Sequence, residues 1–161
     1  MFFKSKNNQP EAVLEPIETV HKLMEERKLR YQYYEVNNIF SLSLNGNNVS
    51  WNCVIHVDLG RQLITLRCYS PVMVQDAQKL KMAELMARLN LQFTLGQYVI
   101  NFEEGDIYFE TVHLFHDNYL PLKTLDTLFY VACKTFDDYF NAINKVNMGD
   151  AEPVMAALSM Q

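Results

Sequence analysis

Residues 80–115, LKMAELMARLNLQFTLGQYVINFEEGDIYFETVHLF, change hydrophobic period partway along, and that change decides the fold class. Met82, Ala83, Leu85, Met86 and Leu89 fall in one stripe at ~100° per residue, opposite Lys81, Glu84 and Arg88, which predicts an amphipathic helix over 75–90. Beyond it the period drops to two. Tyr98, Ile100 and Phe102 alternate against Val99, Asn101 and Glu103; Glu104-Gly105-Asp106 makes a turn; Ile107, Phe109, Thr111, His113 and Phe115 then alternate against Tyr108, Glu110, Val112 and Leu114. Both faces of the second strand are largely apolar. An antiparallel sheet with one wet face usually shows polar residues there, so the surplus predicts that something covers it.

Toward the N-terminus the two periods recur in the same order. Pro16 suits a first helical position because its missing N–H is unpaired there anyway, and Ile17, Val20 and Met24 keep helical spacing. From Tyr31 the period is two. Phe40, Leu42 and Leu44 alternate with serines, and Asn45-Gly46 reads as a type I′ hairpin turn. Trp51, Cys53, Ile55 and Val57 then share one face, and Ile64, Leu66 and Cys68 form a third strand after Gly60, which together predict an antiparallel meander. On the C-terminal side a stripe from Leu122 to Val146 predicts a helix over 121–148, roughly 40 Å long at ~1.5 Å per residue, with Gly149 placed to stop it. The expected order is α-β-β-β-α-β-β-α: an α+β domain over 15–149 with a twisted five-stranded antiparallel sheet and helices packed on it, preceded by a flexible leader over 1–14 and followed by a frayed tail over 150–161.

Composition narrows the function classes. A chain of 161 residues can build a core without staples, and Cys53, Cys68 and Cys133 are odd in number with no C-x-x-C pair, which signals neither a disulfide framework nor a zinc site. A net charge of −5 opposes binding to a phosphate backbone, so no nucleic-acid partner is expected. No segment reaches the ~20 apolar residues of a membrane span, and MFFKSKNNQPEAV lacks the apolar run of a signal peptide. These features predict a cytoplasmic protein that does not engage membranes.

Catalytic constellations are wanting. There is no G-x-S-x-G, no H-E-x-x-H and no glycine-rich phosphate loop. His113 and His116 could converge on a metal only if the strand ended between them. Glu103, Glu104 and Asp106 lack the spaced ligands of a calcium loop and read as a solvated hairpin tip, His56 beside Asp58 reads as a surface pair, and Tyr31, Tyr33 and Tyr34 read as packing at the first strand's entrance. No catalytic residue, metal or cofactor is assigned.

The run LMARLN followed by LGQYVINFEEGDIYFE resembles the YbjN family, through Leu89-Asn90, Leu95-Gly96 and Glu104-Gly105; Asn101 departs from it, standing where the family commonly has an acidic residue. The resemblance implies a fold similar to type III secretion chaperones, often homodimeric, in proteins described as sensory-transduction regulators or chaperone-like. It brings no catalytic residues with it. The function expected is therefore a non-enzymatic, chaperone-like or regulatory domain binding a protein segment, as a homodimer or with an unidentified protein client. The interaction surface is placed at Met82, Leu85, Met86, Leu89, Tyr108, Val112 and Leu114, where the methionines are either core filler or an adaptable contact face. The alternative is a small-molecule-binding domain or enzyme with a pocket between the sheet and the C-terminal helix.

Overall fold

The computed structural model describes residues 14–160, so the leader expected over 1–14 lies, apart from Leu14, outside the described residues. The elements run α1 (Pro16–Glu26), β1 (Gln32–Tyr34), β2 (Ile39–Asn45), β3 (Ser50–Asp58), β4 (Leu63–Tyr69), α2 (Lys79–Asn90), β5 (Gln97–Ile100), β6 (Ile107–Leu114), α3 (Leu122–Met148) and α4 (Pro153–Leu158). α1 starts at Pro16, where the Glu15 N–H donates to Glu18 Oε2 at 3.3 Å. α3 stops where Gly149, at φ +80°, donates back to Val146 O.

The sheet has six strands, not the five expected, in the order β1-β2-β3-β4-β6-β5 with every pair antiparallel. The extra strand is β1. The apolar run from Tyr31 to Leu44 is split by a 3₁₀ turn over Glu35–Asn37 and by Asn38 in the left-handed region at φ 51°, so three residues fold back onto β2. Three residues are too few to show alternation. The Asn45-Gly46 turn differs as well, because a four-residue loop joins β2 and β3, closed by the Gly46 N–H on Val49 O at 2.8 Å. Gly46 is there for space: an added Cβ would meet Asp137 Oδ1 at 2.1 Å and the Trp51 ring at 2.6 Å.

The helices lie on one side of the sheet. Phe40, Ile55, Ile64, Leu66 and Phe109 from the strands are fully buried with Leu125, Ala132, Phe136 and Val146 of α3. The tail expected to fray instead forms α4, which buries Pro153, Ala156 and Ala157 beside α2 and α3, and Lys81 pairs with Glu152 at 2.6 Å. Two alanines let this helix approach closely, but six residues give too short a period to read.

Candidate functional site: the open face of the sheet

Side chains on the uncovered face follow from the register. One row crosses it as Tyr34, Ile39, His56, Thr65 and Val112; a second as Asp58, Leu63 and Leu114; a third as Val54, Arg67, Glu110 and Gln97; a fourth as Asn52, Tyr69, Tyr108 and Val99. The face is graded. Ser41, Ser43, Asn52 and His56 make it polar on the β2–β3 side, whereas on the β4–β6 side Leu63 is half-buried and Val112 and Leu114 are 50% and 60% exposed. Leu59, 40% exposed in the β3–β4 turn, borders a shallow hollow of about 530 Å³ lined also by Val36, Ile39 and His56, while Tyr34 stands at the far edge of the sheet on β1. β5 pairs only with residues 107–110 of β6, so from Thr111 to Leu114 the outer edge of β6 has no strand beside it among the described residues. An unpaired edge flanked by exposed apolar residues is a template for pairing with another chain.

A charged pair marks the centre of this face. Arg67 Nε donates to Glu110 Oε2 at 2.6 Å across the β4–β6 ladder, and the guanidinium stands 5.2 Å from the centroid of the Tyr108 ring. Burial weighs against the Arg67 charge, but Glu110 and Tyr69 outweigh it and its pKa is raised. Tyr108 packs on Tyr69 at 5.1 Å, and burial pushes its hydroxyl up.

The expected interaction surface divides. Val112 and Leu114 are exposed and Tyr108 is half-buried, but Met82, Leu85, Met86 and Leu89 are at most 3% exposed. Those four are core rather than surface. The reason is α4, which together with α3 and β5 encloses the apolar stripe of α2.

The chemistry candidates resolve into local structural roles. Asp58 Oδ1 accepts the Arg61 N–H at 2.9 Å and so closes the β3–β4 turn. β6 does end between His113 and His116, yet His116 makes an isolated bridge with Tyr119, and among the described residues no three His, Cys, Asp or Glu side chains are arranged to hold a metal ion. Tyr31 and Tyr33 pack on Phe40, and Tyr31 bonds His21 Nδ1 at 2.6 Å. In the hairpin Asn101 Oδ1 accepts the Glu103 and Glu104 N–H groups at 3.0 and 3.3 Å, a turn-organising role that a carboxylate could also fill.

Two features went unread in the sequence. Asp137, 6% exposed, accepts the Asn47, Asn48 and Val49 N–H groups at 2.8, 2.9 and 3.3 Å, pinning the β2–β3 loop to α3. Beside it lies a cleft of about 230 Å³ between α3 and the sheet, lined by Arg27, Trp51, Phe129, Cys133, Lys134 and Asp137 among others. A separation of about 90 residues hides both from any local pattern.

The short motifs of residues 89–105 acquire physical reasons. Asn90 holds β5 by donating to Tyr98 O at 3.0 Å and accepting the Tyr98 N–H at 2.8 Å. Gly96, at φ +84°, lies where a Cβ would sit 2.7 Å from both Glu110 O and the Phe109 ring. Gly105, at φ +83°, would meet Val74 O at 2.9 Å.

Fold and surface define an α+β domain that packs its helices on one face of an antiparallel sheet and leaves the other face open. The family model described as "Putative bacterial sensory transduction regulator", YbjN, matches residues 16–145, and the chain belongs to the YbjN family. Among solved structures it is similar to that described as "Crystal structure of YbjN, a putative transcription regulator from E. coli", at a TM-score of 0.61 and 8% identity, over 78% of this chain and 90% of that one. At that identity the likeness is one of fold. No curated protein matches the chain in sequence.

Proposed function

We propose that this chain is a non-enzymatic regulator that works by binding protein through the apolar end of its open sheet face, with a second copy of itself as the first partner. The observation that carries the reading is Val112 and Leu114, half or more exposed on the part of β6, Thr111 to Leu114, that has no strand at its outer edge among the described residues. Exposed apolar groups scattered singly need no partner; Val112 and Leu114 stand two residues apart on one face, Leu114 directly beside Leu63, along a free edge, and they do. Two copies meeting here would cover the hydrophobic surface, and a stable pair needs about 800 Å² from each subunit. The regulator description of the family agrees with a role without catalysis. A chaperone-like mode, akin to that of type III secretion chaperones, would place an extended client segment along the same edge. The net charge of −5 and the lack, among the described residues, of a helix long and apolar enough to cross a membrane favour a cytoplasmic setting without nucleic acid.

Light scattering at micromolar concentration tests the reading. Wild type is expected to be a dimer and Val112→Asp a folded monomer, with at least about a tenfold weaker association, which corresponds to 1.4 kcal/mol. A wild-type monomer at every concentration would remove the self-association. A small-molecule site in the α3 cleft is the weaker reading, since its volume of about 230 Å³ is below the ~300 Å³ at which ligand pockets begin.

A further inference from the structure

Three thiols that lie far apart in the sequence meet beneath the α3 cleft. Cys53 of β3 and Cys68 of β4 are direct cross-strand partners on the covered face, both fully buried, and Cys133 of α3 stands over them. Cys133 alone of the three is half-buried, and it lines the cleft with Arg27, Trp51 and Lys134. The Trp51 indole N–H, on a side chain 6% exposed, finds no nitrogen or oxygen acceptor among the described residues and is directed at the Cys68 sulfur. Two buried thiols, a half-buried thiol at an opening and an indole N–H beside them come together at one point under α3.

We propose that Cys133 is an oxidation site for a hydroperoxide, with Cys53 or Cys68 as the resolving thiol, so that oxidation ties α3 to the sheet by a disulfide. The chemistry balances in two steps. The Cys133 thiolate attacks one peroxide oxygen, the O–O bond breaks, hydroxide leaves and takes up a proton as water, and the sulfur becomes a sulfenic acid, oxidised by two electrons as the peroxide is reduced. A neighbouring thiol then attacks that sulfur, the S–O bond breaks, and water leaves as the S–S bond forms. The surroundings favour the first step. The thiols of Cys53 and Cys68 and the charge of Arg27 draw the Cys133 thiol down to about 5, against the cost of its burial, while those of Cys53 and Cys68 are pushed up. Arg27 is itself held by Asp126 at 2.6 Å, and Lys134, Asp137 and Asp138 complete the charged rim.

Hydrogen peroxide added to the native full chain, followed by alkylation, intact mass and peptide mapping, tests this. The expected result is loss of two hydrogens and a mapped Cys133–Cys53 or Cys133–Cys68 disulfide, abolished in Cys133→Ser. In the Cys53→Ala/Cys68→Ala variant, a dimedone adduct on Cys133 should replace the disulfide. Wild-type mapping needs no variant to fold. Three thiols left reduced, a Cys53–Cys68 disulfide, or Cys133 carried on to sulfinic acid with no disulfide would each overturn the proposal.

Discussion

The two faces of the sheet are built from the same strands by the same alternation, yet one is filled and the other is not. On the covered face Phe40, Ile55, Leu66 and Phe109 have no exposed surface, and even the buried Tyr98 hydroxyl finds Thr135 O at 3.1 Å. On the open face the polar side needs no cover, while Val112 and Leu114 remain in solvent. The difference shows that alternation decides which residues share a face, whereas the supply of helices decides whether that face becomes core. α1, α2, α3 and α4 are all used on one side.

The sharpest way to break this contrast is to shorten one apolar side chain on each face of β6. Phe109→Ala on the covered face should cost about 3–5 kcal/mol in urea unfolding, because it removes a large buried ring and leaves a cavity. Leu114→Ala, two positions past Val112, should stay within about 0.5 kcal/mol when measured at concentrations too low for association. Equal losses would mean that the open face is already packed within one chain.

Asp137→Ala is expected to come next, at roughly 2–3 kcal/mol, because three loop N–H groups lose their acceptor beneath α3. Asp137→Asn keeps one oxygen acceptor and should recover part of the loss. Should both variants unfold at the wild-type denaturant concentration, the loop would be held by something other than this carboxylate.

Asp137 also marks the limit of what the sequence conveys. Periods of 2 and 3.6 are local, so the β3 alternation, the start of α1 at Pro16 and the stop of α3 at Gly149 were legible from neighbouring residues alone. Gly46 was legible as a loop residue but not for its reason, since the atoms that exclude a Cβ belong to Asp137 and Trp51. β1 was hidden by its three-residue length, and the burial of Met82 and Met86 by an α4 too short to announce itself. At the candidate site the exposed Val112 and Leu114 could be marked as surplus, because the apolar excess of β6 is a local count. The meeting of Cys53, Cys68 and Cys133 could not, because it depends on sheet register and on where α3 crosses the sheet.

The smallest effect expected belongs to the pair at the centre of the open face, and it is informative because it is small. Arg67 and Glu110 are bonded at 2.6 Å, with side chains 42% and 13% exposed, so in an isolated chain their coupling in a double-mutant cycle should be only about 0.2–1 kcal/mol and should weaken with salt. If a second copy settles on this face, the same two groups lose water from above. Their attraction is then less screened, and removing one partner leaves a charge buried against the neighbouring chain. The cycle Arg67→Met/Glu110→Gln, run once at dilution and once where wild type associates, should therefore give a larger and less salt-sensitive coupling in the second case. Equal couplings at both concentrations would show that any dimer leaves this pair in water, and would move the contact away from the sheet centre to the free β6 edge alone.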